Sequence, residues 1–442
     1  MRLTALTGSL VEGTGFWCVP VWTGSRTLGG IALGRSFRVL WLSQSISYLG
    51  SQVTVVALPL TAVLVLDAGP FEMGVLLALV RLPYLLIGLP AGALVDRVSR
   101  RGLLFVTNVA LALILSVIPI ASSGDWLSLR LLFVVAASAG TLIVVFELSY
   151  LAFVPELVDR TDLTRAQGLT EVTQSIGQLA GPAIAGWFVA VVSAPAAIGV
   201  DAGTYVVAAI AVLAVSTQHR PVRAQQPEPF IAGVKRSARA VFGQPVLRAV
   251  TLGNATFAFW FSAYSALSVL FFVDDLAASP TLIGVIVATG AVGGLLGAAV
   301  APRLGERFGT GTAMAAALTV GGIGIAVLPL SSLADGVATT LAAIGAQALA
   351  WFGFQVFNVQ QVPFRYVLNP SELHGRVNAM IKTVSWGAAP GGALLSGALG
   401  ATIGLGPTLA ICGVGAASAS SWIIFGPARH VEHVANLTPV AA

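Results

Sequence analysis

GALVDRVSRR, residues 92–101, is where a long apolar run stops abruptly in one aspartate and three arginines. Apolar residues make up 56% of the 442-residue chain and charged ones 9%, whereas soluble domains carry about 25% charge. Such a composition belongs in lipid, and the stretch marks the point at which a spanning segment gives way to an aqueous loop.

Outward from this stretch, apolar runs of spanning length fall at 37–66, 72–95, 102–121, 128–153, 166–192, 197–216, 246–273, 280–302, 310–330, 336–362, 376–402 and 405–426. They predict an all-α membrane protein with twelve transmembrane helices, spans 1 to 12. The one sizeable polar break, residues 217–245, divides the spans six and six. The expected layout is a cytoplasmic tail over 1–34, a six-helix bundle over 35–216, a cytoplasmic linker over 217–245, a second bundle over 246–426 and a cytoplasmic tail over 427–442. Within the linker, residues 230–242 can form a short amphipathic helix on the membrane surface.

Orientation follows from the cations. With both termini inside, 20 of the 23 Lys and Arg residues fall in the tails, the linker and the inner loops, while the outer loops hold only Arg130. That is the positive-inside pattern, so the net charge of +5 is a topology signal and nucleic acid is not an expected partner. Cys18 and Cys412 have no metal-ligand spacing, and no GxxxxGK[ST], HExxH, CxxC or GxSxG element occurs. No enzyme chemistry, metal or cofactor is therefore expected.

The halves echo one another. VPELVDRTDLTRAQGL, before span 5, is matched by LNPSELHGRVNAM before span 11, and an offset of 211 aligns Arg165 with Arg376, Gly181 with Gly392 and Gly186 with Gly397. At an offset of 206, Arg97 and Arg101 meet Arg303 and Arg307 after span 8. Two six-helix bundles related by an axis along the membrane normal account for both matches.

GALVDRVSRR resembles the GxLaDrxGrkxxl loop signature of the major facilitator superfamily, through Gly92, Leu94, Asp96, Arg97, Arg100 and Arg101, with Ser99 in place of the second glycine. GQLAGPAIAG, residues 177–186, resembles the GxxxGPxxGG signature of that superfamily's drug–proton antiporters through Gly177, Gly181, Pro182 and Gly186, with Ala185 replacing one glycine. The stretches before span 5 and within span 11 are similar to those of the enterobactin exporter and macrolide efflux subgroup. The resemblance implies a secondary transporter that exports small amphiphilic molecules, such as a drug, macrolide-like product or siderophore. It also implies alternating access, exchange against protons, a plasma-membrane location and a monomer. A lipid flippase or solute importer of the same fold, and a membrane-embedded enzyme without transport, are the alternatives.

Each motif has two readings. Asp96 can cap the N-terminus of span 11 while Arg97 and Arg101 pair with Glu156 or Asp159 as an inner latch, or the arginines can serve topology alone. The Gly-Pro pair in span 5 suits a bending helix at the interface between bundles, or close packing and nothing more. Ionisable residues inside spans cost about 2.5–3.5 kcal/mol each near a helix centre, which makes Arg81, Glu147, Glu171, Asp201 and Lys382 functional candidates. Asp201 and Glu171 lie near enough to helix ends to reach water. Glu147, apolar on both sides in VVFELSY, is the leading proton carrier, its alternative being a permanent pair with an inner-gate arginine. Arg81 and Lys382 can balance such a carboxylate or contact an anionic substrate. Gln44, Tyr48 and Gln52 share one face of span 1, and Gln355, Asn358 and Gln361 share one face of span 10, so both are expected to line the substrate cavity. Trp260 and Tyr264, with Phe257, Phe259 and Phe261, form an expected aromatic wall on span 7, or else pack between helices or against lipid.

Overall fold

The computed structural model describes residues 34–159, 162–215, 230–369 and 374–431. The first half contains α1 (Arg35–Leu66), α2 (Pro70–Arg97), α3 (Arg100–Ser123), α4 (Leu129–Leu157), α5 (Leu163–Val191) and α6 (Ala194–Ala214). A short α7 (Phe230–Phe242) leads into α8 (Pro245–Asp274), α9 (Pro280–Phe308), α10 (Thr310–Val327), α11 (Val337–Val367), α12 (His374–Ile403), α13 (Leu405–Ser418) and α14 (Ser421–Ile424).

Serine hydroxyls start four of these helices by accepting the N–H three residues on: Ser99 from Gly102 at 3.2 Å, Ser128 from Leu131 at 3.4 Å, Ser193 from Ala196 at 3.3 Å and Ser279 from Leu282 at 3.3 Å. Proline at the first or second position reinforces the starts of α6, α8 and α9, where the missing N–H is not needed. With 32 residues, α1 is about 48 Å long at 1.5 Å per residue, enough to cross the hydrocarbon layer and both interfaces. Ten helical segments are long and apolar enough to span a membrane, α13 and α14 counting together. The other two long helices, α5 and α12, have 29 and 30 residues but carry Gln174, Gln178, Lys382 and several glycines. The twelve expected spans thus resolve into ten apolar helices and two more polar ones of spanning length.

The packing repeats faithfully. α1 packs on α5 and α6, α3 on α4 and α6, and α2 on α4; correspondingly α8 packs on α12 and α13, α10 on α11 and α13, and α9 on α11. The two bundles meet mainly through α2 against α12 and α5 against α9, contacts that exchange with each other under the repeat. At one end of the molecule these crossings are glycine on glycine. A Cβ on Gly74 would sit 2.5 Å from the Ala393 carbonyl oxygen and 2.9 Å from the Gly397 Cα; one on Gly284 would sit 2.5 Å from the Pro182 carbonyl oxygen and 2.9 Å from the Gly186 Cα. Gly284 follows Gly74 by 210 residues and Gly397 follows Gly186 by 211, so the two contacts are one contact made twice. Just inside the first, Ala78, Ala266 and Ala393 form a small buried cluster of α2, α8 and α12.

α7 seats its apolar residues, among them Val234, Ala238 and Val241, on α8 and α12. The amphipathic helix expected in the linker is present, and its apolar side is taken up by protein.

Candidate functional site

Glu147 projects from α4 into the space between the bundles. It is solvent-exposed, yet the Tyr84 hydroxyl of α2 lies within hydrogen-bonding reach, and Arg81 of α2 and Lys382 of α12 lie within electrostatic reach. Its carboxylate therefore sits between the bundles, with cations of both within electrostatic reach. The Arg81 guanidinium lies 4.9 Å from the centroid of the Trp386 ring, and the Tyr84 and Trp386 rings are 6.4 Å apart, which joins α2 to α12 at this level. Of this group, Glu147, Arg81 and Lys382 were expected from sequence. Tyr84 and Trp386 were not, although Tyr84 follows Arg81 by one turn and Trp386 follows Lys382 by one turn.

Asp201 is elsewhere. It is 1% exposed, in the contact of α6 with α1, where the Thr54 hydroxyl donates to its Oδ2 and Thr204 Oγ1 lies 3.2 Å from its Oδ1. Ser51 and Tyr205 share a hydrogen bond of 2.9 Å beside it, and Gly50 leaves the room: a Cβ there would lie 2.6 Å from Asp201 Oδ1. The expectation that Asp201 reaches water is therefore corrected. Nearness to the helix end does not help, because α1 covers it. The residue binds α1 to α6 inside one bundle.

The α1 stripe does not uniformly line the cleft either. Gln44 is buried with its Nε2 unpartnered, and Tyr48 and Gln52 lie against α5. A Cβ on Gly177 would collide with the Tyr48 ring at 2.7 Å, and one on Gly181 would collide with Gln52; Gln178 Nε2 donates to the Tyr48 hydroxyl at 3.2 Å. Two glycines of the antiporter-like motif thus let α1 approach α5, and only Gly186 meets the opposite bundle. Pro182 lies between them and offers its carbonyl to the Gly284 contact.

The aromatic wall also moves. Tyr264 is 2% exposed and donates to Gln347 inside its own bundle, while Trp260 lies against Gly415 of α13. Phe257, Phe261 and Phe354 instead stack together between α8 and α11, with Phe261 and Phe354 centroids 5.1 Å apart and Trp351 edge-on to both. A run of aromatics on one helix necessarily points all ways round, and most of these point into the bundle. On α11, Gln355 lies near Gly294 of α9, whereas Asn358 accepts from Gln361 Nε2 at 2.7 Å and Gln361 Oε1 accepts from Arg365 at 3.0 Å. Arg365 also donates to Asn378 Oδ1 of α12 at 3.1 Å. Neither Arg365 nor Asn378 was singled out from sequence.

In the opening stretch, the side chains of Gly92, Asp96 and Arg97 lie outside the described residues, as do those of 374–376, so the capping expected of Asp96 is not described. The neighbouring arginines are. Arg100 pairs with Glu156, at 2.6 Å, and also reaches the Ala152 carbonyl at 3.2 Å. Arg101 donates to the Val212 and Leu213 carbonyls at 3.1 and 2.6 Å, closing the C-terminal end of α6. The expected Arg101–carboxylate pair is corrected accordingly. Ser99, at φ −56°, is the N-cap of α3, which explains why this chain has no need of glycine there.

Two repeated six-helix bundles with charged side chains between them are the architecture of a membrane transporter. The profile of the major facilitator family described as transmembrane secretion effectors matches residues 33–439, and the chain belongs to that family. It is 27% identical over 373 residues to the multidrug efflux pump Tap of Mycolicibacterium fortuitum, covering 81% of this chain and 88% of that one. It is 28% identical over 221 residues to macrolide efflux protein A of Enterococcus faecalis, covering 49% of this chain and 67% of that one. Among solved structures, a bacterial homologue of the iron transporter ferroportin superposes with a TM-score of 0.69 in its inward-facing state, at 17% identity over 88% of this chain and 98% of that one. Its outward-facing state gives a TM-score of 0.56, at 18% identity over 89% and 99%. The protein is a transporter and not an enzyme.

Proposed function

We propose that this protein exports small amphiphilic molecules in exchange for protons, working as a monomer in the plasma membrane with both termini in the cytoplasm. The observation that carries this reading is Glu147, exposed between the bundles and facing Arg81 of one and Lys382 of the other. The names of its relatives, a multidrug pump and a macrolide efflux protein, support export and amphiphilic cargo. In this orientation the glycine contacts close the outer end and the charged cleft faces the cytoplasm, which agrees with the better superposition on an inward-facing neighbour.

The coupling follows from charge. Ionised Glu147 attracts Lys382 across the interface and draws the bundles together on the inner side, which favours the outward-facing state. Protonation from outside removes that attraction and returns the protein to the inward-facing state. Substrate entering the cleft competes for the same groups, so proton and cargo alternate. In inside-out vesicles supplied with pyrenebutyrate, a fluorescent amphiphile, a pH gradient should drive uptake by the native protein and none by Glu147→Gln, with the melting temperature of the variant unchanged. Native uptake rates in the variant would refute the assignment.

A further inference from the structure

Arg365 stands out among the cations of the cleft. It is half-buried, its two fixed partners are the neutral amide oxygens of Gln361 and Asn378, and its Nε is buried with no acceptor. No carboxylate partners it among the described residues. A guanidinium has five N–H donors, of which two have side-chain acceptors among the described residues, and a buried guanidinium short of an anion is an expensive arrangement unless something else supplies one.

Its position is ordered with respect to the other two cations. Asn378, Lys382 and Trp386 occupy three successive turns along one face of α12, about 6 Å apart at 1.5 Å per residue. Asn378 holds Arg365, Lys382 is itself the second cation, and Trp386 carries Arg81. Three positive groups therefore form a ladder about 12 Å long, beginning at Arg365 and ending at the Tyr84–Trp386 aromatic pair. Against it stands Glu147, beside the upper rungs. Of the other acids, Glu171 shares electrostatic reach of Tyr48 with Glu147, and Asp201 is tied to threonines inside its bundle. Even with Glu147 and Glu171 both ionised, the three cations leave an excess of positive charge.

We infer that Arg365 is an anion subsite of the substrate cleft, which selects amphiphiles bearing a carboxylate or phosphate head on an aromatic or apolar body. The head takes the free donors of Arg365, Lys382 lies along the length of the ligand, and the body rests on Trp386 and Tyr84. This rests on the reading of the cleft as the substrate path, and it adds a charge requirement that the amphiphilic character of the cargo does not contain.

Binding measured without any gradient separates this inference from proton-driven export. The probes are pyrenebutyrate and its methyl ester, added to the purified full-length protein, with energy transfer from tryptophan as the signal and Trp386→Phe as the control for its source. The carboxylate should bind the native protein about tenfold more tightly than the ester, the size of one charge-assisted hydrogen-bonding contact. Arg365→Lys should keep most of that preference, and Arg365→Gln should remove it while leaving ester affinity unchanged. Equal affinities of acid and ester for the native protein would overturn the inference, as would an acid preference that survives Arg365→Gln. Equal weakening of both probes by Arg365→Gln would assign Arg365 to gating or folding and overturn it too. Failure of proton-driven uptake with an intact acid preference would instead remove the coupling proposal and leave the subsite standing.

Discussion

Substituting Gly74 and Gly284 by alanine tests the structure at its closed end. A Cβ on either glycine lies 2.5 Å from a carbonyl oxygen of the opposite bundle, whereas close C···O contacts settle at about 3.3–3.6 Å, so each crossing must part by about 1 Å. The carbonyls belong to helix backbone and cannot rotate away. Overpacking of this kind typically costs about 1–3 kcal/mol, and the two crossings share no partner, so their effects should add to about 2–6 kcal/mol in the double variant. This penalty falls only on the conformation in which the glycines touch. At 1.4 kcal/mol per factor of ten, even the low end shifts the balance toward an open outer end by more than tenfold. Ala266, 2% exposed just inside the Gly74 contact, gives the assay. With Cys18 and Cys412 replaced by serine and alanine, an Ala266→Cys reporter in right-side-out vesicles should react with a membrane-impermeant maleimide at least about tenfold faster in the Gly74→Ala, Gly284→Ala background. Unchanged labelling in a folded double variant would refute the idea that these backbone contacts form the seal.

Two further outcomes concern the end that carries GALVDRVSRR. Arg100→Gln leaves Glu156, about one-fifth exposed, without its partner, and should lower stability by about 1–3 kcal/mol, read as a drop in melting temperature in detergent; the charge-reversed pair Arg100→Glu, Glu156→Arg should recover part of the loss. Arg101→Ala removes both donors to the end of α6, so hydrogen exchange should accelerate at the last turn of α6, Ala211–Ala214, with little change at its first turn.

Much of this fold is legible in the sequence because lipid imposes so few options: long apolar runs must be helices, and cations must sit on one side. The duplication could be read as well, since Gly186 and Gly397 keep their register and prove to be equivalent members of the two outer contacts. The cleft was legible only where a charge had to be explained. Glu147, Arg81 and Lys382 drew attention because each is costly alone, and they do meet. Trp260 and Tyr264 failed as predictions because an aromatic residue is at home against lipid, in a cleft or inside a bundle, so its presence does not reveal its direction. Arg365 counts as an inner-loop charge in the sequence because it follows the span expected over 336–362, whereas α11 runs on to Val367; its partner Asn378 belongs to another helix, and no spacing in the sequence brings them together. That Arg100 meets Glu156, while Arg101, expected to pair with a carboxylate, meets carbonyls, has a related cause. Neighbours in sequence point about 100° apart on a helix, and only the positions of α4 and α6 determine which one meets a carboxylate.

The paired glycine contacts also bear on where the proposed exchange can be powered. What parts when they separate is Cα hydrogen and carbonyl oxygen already bonded along its own helix, so no charge has to be rehydrated and no side chain reordered. Such a joint is deaf to pH, to salt and to cargo. Under the exchange proposed above, the force that moves the bundles is then applied at the far end of the lever, among the cations and Glu147, while the quiet end merely opens and shuts.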